Sequence, residues 1–124
     1  VSEKSSDETS TGEKSCWDVV DRLYATIVNR KGADPATSYT AKLYAGGTLK
    51  IAQKFGEESV ELVIEAMRGD AAKLADESAD VLYHLLVVWA NAGVTPEQVC
   101  DVLEKRTSMS GVEEKKGRAL RDPQ

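Results

Sequence analysis

The 124-residue sequence contains one histidine, two cysteines, three prolines and one phenylalanine. Each shortage excludes something. A zinc centre built on several imidazoles cannot be assembled from His84 alone. Cys16 and Cys100 match neither a metal-ligand spacing nor a disulfide framework, so both are expected reduced, on helices, in a cytoplasmic protein. No run of eighteen apolar residues is present to span a membrane, and the N-terminal stretch lacks the apolar segment of a signal peptide. A basic excess is missing too. Sixteen Lys and Arg face 21 Asp and Glu, for a formal net charge of −5, the wrong sign for a nucleic-acid-binding surface. A small phosphate-bearing substrate stays open, because a bound cation can bridge it to carboxylates.

What is present is ordinary soluble-domain material, 41% hydrophobic and 30% charged, in a length that suits one domain. Residues 1–14, "VSEKSSDETSTGEK", are nearly free of hydrophobes and cannot offset the entropy of ordering; they predict a disordered tail. The domain is expected over residues 15–118, with 119–124 as a second tail. No period-two run suggests a strand. Val19, Val20, Leu23, Ile27 and Val28 predict a helix from Ser15 or Cys16 to Arg30, and "SYTAKLYAGG" a short one before Gly46 and Gly47. Two long helices should follow, from about Thr48 to Met67 and from about Asp70 to Ala92, closed by Gly69 and Gly93. Thr95, Pro96 and Gln98 spell a capped helix start, and that helix should run to about Arg106. The expected fold is all-α, a bundle of four or five helices.

The segment "KFGEESVELVIEA" crowds Glu57, Glu58, Glu61 and Glu65 onto one helix, where like charges at spacings of three and four oppose helix formation. On a helical wheel Ala52, Phe55, Ser59, Val63 and Ala66 form one side. Lys50, Lys54, Glu57, Glu58, Glu61 and Glu65 form the other. The next helix carries Glu77, Asp80 and His84 at i, i+3 and i+7, hence on one face. Every residue of its "VLYHLLVVWA" except His84 is apolar, the mark of a helix covered all round. His84 and its neighbouring carboxylates are therefore expected to enter the interior.

Two readings of the acidic residues stand side by side. They are a solvated face ion-paired with Lys50 and Lys54, or they hold a cation, since buried unpaired carboxylates are costly. Oxygen-only ligands without thiolates suit Mg²⁺ or Mn²⁺. A di-iron site would need Glu-x-x-His on each of two helices, and Val81 stands three before the one histidine. Lys50 and Lys54 are phosphate contacts or plain ion-pair partners. His84 is a satisfied core histidine or a hydrogen-bonding contact to substrate.

Glu58-x-x-Glu61 followed by Glu77-x-x-Asp80 resembles the signature of the all-α, MazG-type nucleotide pyrophosphatases. Together with "SYTAKLYAGG", "ESADVLYHLLV" and "EKRTSMSGVEEKKGR", the chain from Val19 to Arg118 is similar to the phosphoribosyl-ATP pyrophosphatase family of histidine biosynthesis. Some members carry a cyclohydrolase domain ahead of this one, for which 124 residues leave no room. The resemblance implies hydrolysis of the α–β phosphoanhydride of N1-(5-phosphoribosyl)-ATP to phosphoribosyl-AMP and pyrophosphate. It also implies Mg²⁺ held by Glu58, Glu61, Glu77 and Asp80, and a homodimer in which helices of two chains pack together. Glu57 becomes a candidate general base or support for the metal ligands. Lys42 and Arg118 join Lys50, Lys54 and His84 as substrate contacts, and "GVEEKKGR" is a candidate segment to order over substrate. Two rival readings remain: a housecleaning pyrophosphatase acting on non-standard nucleoside triphosphates, and a non-enzymatic helical dimer.

Overall fold

The computed structural model describes residues 16–108 and Arg118, and no strand occurs among them. Five helices follow in order: α1 Cys16–Asn29, α2 Tyr39–Ala45, α3 Gly47–Arg68, α4 Ala71–Ala92 and α5 Pro96–Thr107. The all-α expectation is met, with boundaries within a residue or two of those anticipated. The tails expected at 1–14 and 119–124, and the segment "GVEEKKGR" apart from Arg118, lie outside the described residues. No helix among the described residues is long and apolar enough to cross a membrane.

Local chemistry explains the boundaries. Ser38 caps α2, its hydroxyl accepting from the Ala41 amide at 3.1 Å. Asp70 caps α4, its carboxylate accepting from the Ala72 and Lys73 amides at 3.1 and 3.2 Å. Gly69 and Gly93 end α3 and α4 in the left-handed region, at φ 78° and 77°, where a Cβ would be strained. The anticipated capping box at α5 is formed in both directions. The Gln98 amide donates to Thr95 Oγ1 at 3.2 Å and the Thr95 amide to Gln98 Oε1 at 2.8 Å.

The chain divides into two compact units at Gly93/Val94. The second contains α5. In the first, α3 and α4 pack most extensively, α1 lies on α4, and α2 lies on α3. Only Gly69 and Asp70 separate α3 from α4, so the pair is antiparallel, and Asn91 near the end of α4 donates to Thr48 Oγ1 at the start of α3, at 2.9 Å. The core is Val20, Ile27, Leu43, Ile51, Leu86, Val87 and Ala90, with Leu23, Tyr24, Tyr44, Leu82, Tyr83, Val88 and Trp89 packed around it. Leu86 and Val87 are wholly buried, each contributing about 1.5–3 kcal/mol of apolar transfer.

The structure settles the rotation of α3 and corrects one expectation for α4. The wheel grouped Ala52, Phe55, Ser59, Val63 and Ala66 of α3 on one side without deciding which side turns inward, and Ala52, Val63 and Ala66 are exposed. The inward line is instead Ile51, Phe55, Glu58, Leu62 and Glu65. Ile51 joins the core, and helical geometry carries positions i+4, i+7, i+11 and i+14 round with it. The acidic side therefore faces α4, while Leu49, Val60, Val63, Ile64 and Met67 are left exposed. The correction concerns α4, where the carboxylates beside His84 were expected to enter the interior. His84 is buried and Glu77 partly so, but Asp80 is exposed; the helix sinks into the core only from Val81 onward.

Candidate functional site

The antiparallel pairing brings the middle of α3 against the first half of α4. Carboxylate oxygens of Glu58, Glu77 and Asp80 lie within 4.8 Å of one another, the one such group of three or more metal-ligand side chains among the described residues. Spacing accounts for the pair on α4, since residues three apart share a face. The meeting with Glu58 is tertiary. Glu77 Oε1 is buried without a protein hydrogen-bond partner. Loss of surrounding water, and then the charges of Asp80, Glu58, Glu61 and Glu65, push the Glu77 carboxyl above the usual carboxylate range. Such a cluster of oxygens, one of them buried and unsatisfied, suits a hard divalent cation, which takes carboxylate oxygens and neutralises their repulsion.

Glu61 is exposed and outside that group, although its charge reaches Glu77. Glu65 belongs nearer the site than the sequence suggested. Its side chain is 12% exposed, one oxygen meets Arg68 Nη1 at 3.4 Å, and the other, Oε1, is buried without a partner. The signal was available in its spacing, seven residues after Glu58 on the inward line.

Glu57 faces elsewhere. Gln53 Nε2 donates to its Oε2 at 3.1 Å, and Lys54 Nζ lies 3.3 Å from its Oε1. These donors, Gln53 first, hold the carboxyl below the usual range. A general base needs proton affinity, so this environment argues against that role. Lys54 is in turn held above the usual lysine range, by the Glu57 hydrogen bond first and by Tyr39 second, and stays charged. Lys50 is exposed, close enough to act on Glu57. Lys42 is exposed in the last turn of α2. Arg118 is exposed and belongs to the second unit.

His84 is not placed as a direct substrate contact. The residue is 6% exposed. Nδ1 lies 2.8 Å from the Asp80 carbonyl and Nε2 lies 3.2 Å from Tyr39 Oη. A carbonyl only accepts, so Nδ1 carries the hydrogen and Nε2 of the neutral ring accepts from the tyrosine. Tyr39 was not singled out from the sequence, and its link to a residue 45 positions away has no local signature. Beside it, the hydroxyls of Thr40 and Tyr83 are hydrogen-bonded.

A family model described as "Phosphoribosyl-ATP pyrophosphohydrolase" matches residues 20–107. Relatives named phosphoribosyl-ATP pyrophosphatase are similar over nearly the same span. The protein of Azospirillum brasilense is 63% identical over 100 residues, covering 81% of this chain and 90% of its own. That of Cereibacter sphaeroides is 61% identical, covering 81% and 97%. That of Gluconobacter oxydans is 54% identical, covering 81% and 75%.

Proposed function

The chain belongs to the phosphoribosyl-ATP pyrophosphohydrolase family, and from that premise we propose that it hydrolyses N1-(5-phosphoribosyl)-ATP. Water adds across the α–β phosphoanhydride, giving phosphoribosyl-AMP and pyrophosphate. The observation that carries the reading is the meeting of Glu58 with Glu77 and Asp80 across two helices, with Glu77 Oε1 buried and unpartnered. These three residues, joined by Glu61 through a change of rotamer, would hold Mg²⁺, with Mn²⁺ as the other hard cation suited to the set. When bound, the cation supplies charge neutralisation at the phosphate oxygens.

The chain's own residues do the rest. Lys54, braced by Glu57, and the neighbouring Lys50 present ammonium groups to the phosphates. Glu57 orients Lys54 rather than taking a proton. Lys42 is a further phosphate contact. The protein works in the cytoplasm, as a homodimer. The exposed line Leu49, Val60, Val63, Ile64 and Met67 along α3 supports the dimer, because monomers rarely present a contiguous apolar stripe to water.

Turnover of phosphoribosyl-ATP, compared with that of dCTP, dUTP and ITP by pyrophosphate release, tests the substrate. Preference for phosphoribosyl-ATP is expected; equal or faster hydrolysis of the simple triphosphates would instead make it a housecleaning enzyme. Calorimetric titration of Mg²⁺ into wild type and Glu61→Gln, with and without nucleotide, tests the cation. If neither protein binds it under either condition, the non-enzymatic dimer is the better account.

A further inference from the structure

Tyr39 is a large aromatic side chain left 48% exposed, yet it is held from several directions. It occupies the first position of α2, whose backbone is fixed by the Ser38 cap. One side of its ring stacks loosely on Tyr83, with centroids 6.2 Å apart and planes at 29°. His84 meets it edge-on at 6.0 Å and 77°, and accepts its hydroxyl hydrogen through Nε2 at 3.2 Å. Tyr83 is itself tied to Thr40, the next residue along α2. The ring therefore has little freedom left to lose when something flat binds against it, and ordering costs otherwise subtract from affinity.

Its surroundings indicate what that flat group carries. Tyr39 is joined through His84 to the helix turn that bears Asp80, and it acts electrostatically on Lys54, as does Glu58 of the acidic group. An aromatic face, an ammonium and a carboxylate cluster suited to a cation are thus linked through His84 and Lys54. A ligand that answers all three has a heterocycle at one end and phosphates at the other.

We propose that Tyr39 is a substrate-positioning platform, its ring pinned by His84 and its open face stacking on the purine of the bound nucleotide. His84 is then a positioning residue that acts through Tyr39. The same imidazole donates to the Asp80 carbonyl at 2.8 Å, so one buried ring aligns both the purine platform and the helix turn bearing a cation ligand. This inference rests on the nucleotide-hydrolase reading above, and its test separates the two.

Affinities of Mg·ATP and of Mg·tripolyphosphate, the second lacking any base, are measured by calorimetry on Tyr39→Leu, Tyr39→Phe, His84→Asn and the Tyr39→Phe/His84→Asn double variant. Tyr39→Leu removes the aromatic face and should weaken ATP by roughly tenfold or more, the scale of one base–aromatic stack, while leaving tripolyphosphate within about twofold. Tyr39→Phe keeps the face but loses the tether, so ATP weakens by a smaller factor. In His84→Asn the amide nitrogen stands near Nδ1 and keeps the Asp80 bond, while the acceptor at Nε2 is gone. It should match Tyr39→Phe, and the double variant should bind no worse than either, the non-additivity of one shared interaction.

The proposal is overturned if wild type holds ATP no better than tripolyphosphate. It is equally overturned if Tyr39→Leu binds ATP as wild type does, or loses both ligands alike. A shift in oligomeric state by sedimentation, with ATP affinity unchanged, would assign Tyr39 to a protein interface instead. Should His84→Asn not fold, the two Tyr39 variants carry the test. Failure of wild type to hydrolyse phosphoribosyl-ATP, with the ATP-to-tripolyphosphate discrimination intact, would overturn the reaction and leave the platform standing.

Discussion

Asp80→Asn should separate catalysis from folding. The side chain is exposed and its carboxylate makes no hydrogen bond or ion pair among the described residues. The Asp80 contact that matters for packing is its backbone carbonyl, which accepts from His84, and asparagine keeps it. An exposed substitution away from caps and cores shifts stability by about 0.5 kcal/mol or less. That corresponds to roughly 2–4 °C in Tm for a domain of this size class. In the metal-free protein the shift should be upward, because one of three carboxylates meeting within 4.8 Å loses its charge. Activity behaves differently. If Asp80 is one of the proposed cation ligands, losing its charge should cost at least about a hundredfold in pyrophosphate release, or about 2.7 kcal/mol of barrier. Pyrophosphate release at saturating Mg²⁺, with far-UV circular dichroism and a thermal melt in EDTA, reads all three quantities. Retention of more than about a tenth of wild-type activity would remove Asp80 from the ligand set. A Tm drop beyond about 8 °C would mean that the substitution acts on the fold, against the structural reasoning.

Other consequences are equally direct. The Glu77 carboxyl is raised, so the folded protein binds its proton more tightly than the unfolded chain does. Metal-free stability should therefore fall as pH climbs from the ordinary glutamate value of 4.5 through the raised one. Glu57, which is lowered, contributes in the opposite sense, its stabilisation being lost as pH falls through its folded value. Melts across that window in EDTA should show Glu77→Gln without the loss on the alkaline side; parallel profiles would refute it. Leu86→Ala deletes a fully buried side chain and should cost about 2–5 kcal/mol in urea unfolding; less than about 1 kcal/mol would show the core to be loosely packed there. Val63→Lys places a charge on the exposed stripe of α3. Under the proposed homodimer, sedimentation velocity should find wild type dimeric and this variant monomeric, and an unchanged dimer would move the interface elsewhere.

The helices were legible because their signals are local. Thr95 and Gln98 close their box within four residues, and Gly69 and Gly93 stop α3 and α4 where a left-handed residue is needed. The acidic pairs were legible for the same reason, since spacing alone puts Glu77 and Asp80 on one face. The rotation of α3 was not. A wheel divides a helix into two sides, but with Val63 on one and Ile51 near the other, apolar content did not decide which side turned inward. Leu86 and Val87 are fully covered within one chain, while exposed apolar side chains lie on α3, on α1 (Trp17, Val19, Val28) and on α5 (Val102, Leu103).

The sequence by itself determined an all-α protein, the places where its helices start and stop, and the family to which its acidic motif points. These follow from hydrogen bonds and periodicities that span a few residues. Only the tertiary structure decided that Glu58 meets Glu77 and Asp80 while Glu61 lies outside that group, that Glu57 turns to Lys54, and that a buried His84 bonds to Tyr39 and to the Asp80 carbonyl. Those outcomes depend on which residues of α2 and α3 the packing of Ile51, Leu86 and Val87 brings against α4, and contacts of that range leave no mark on any short stretch of chain.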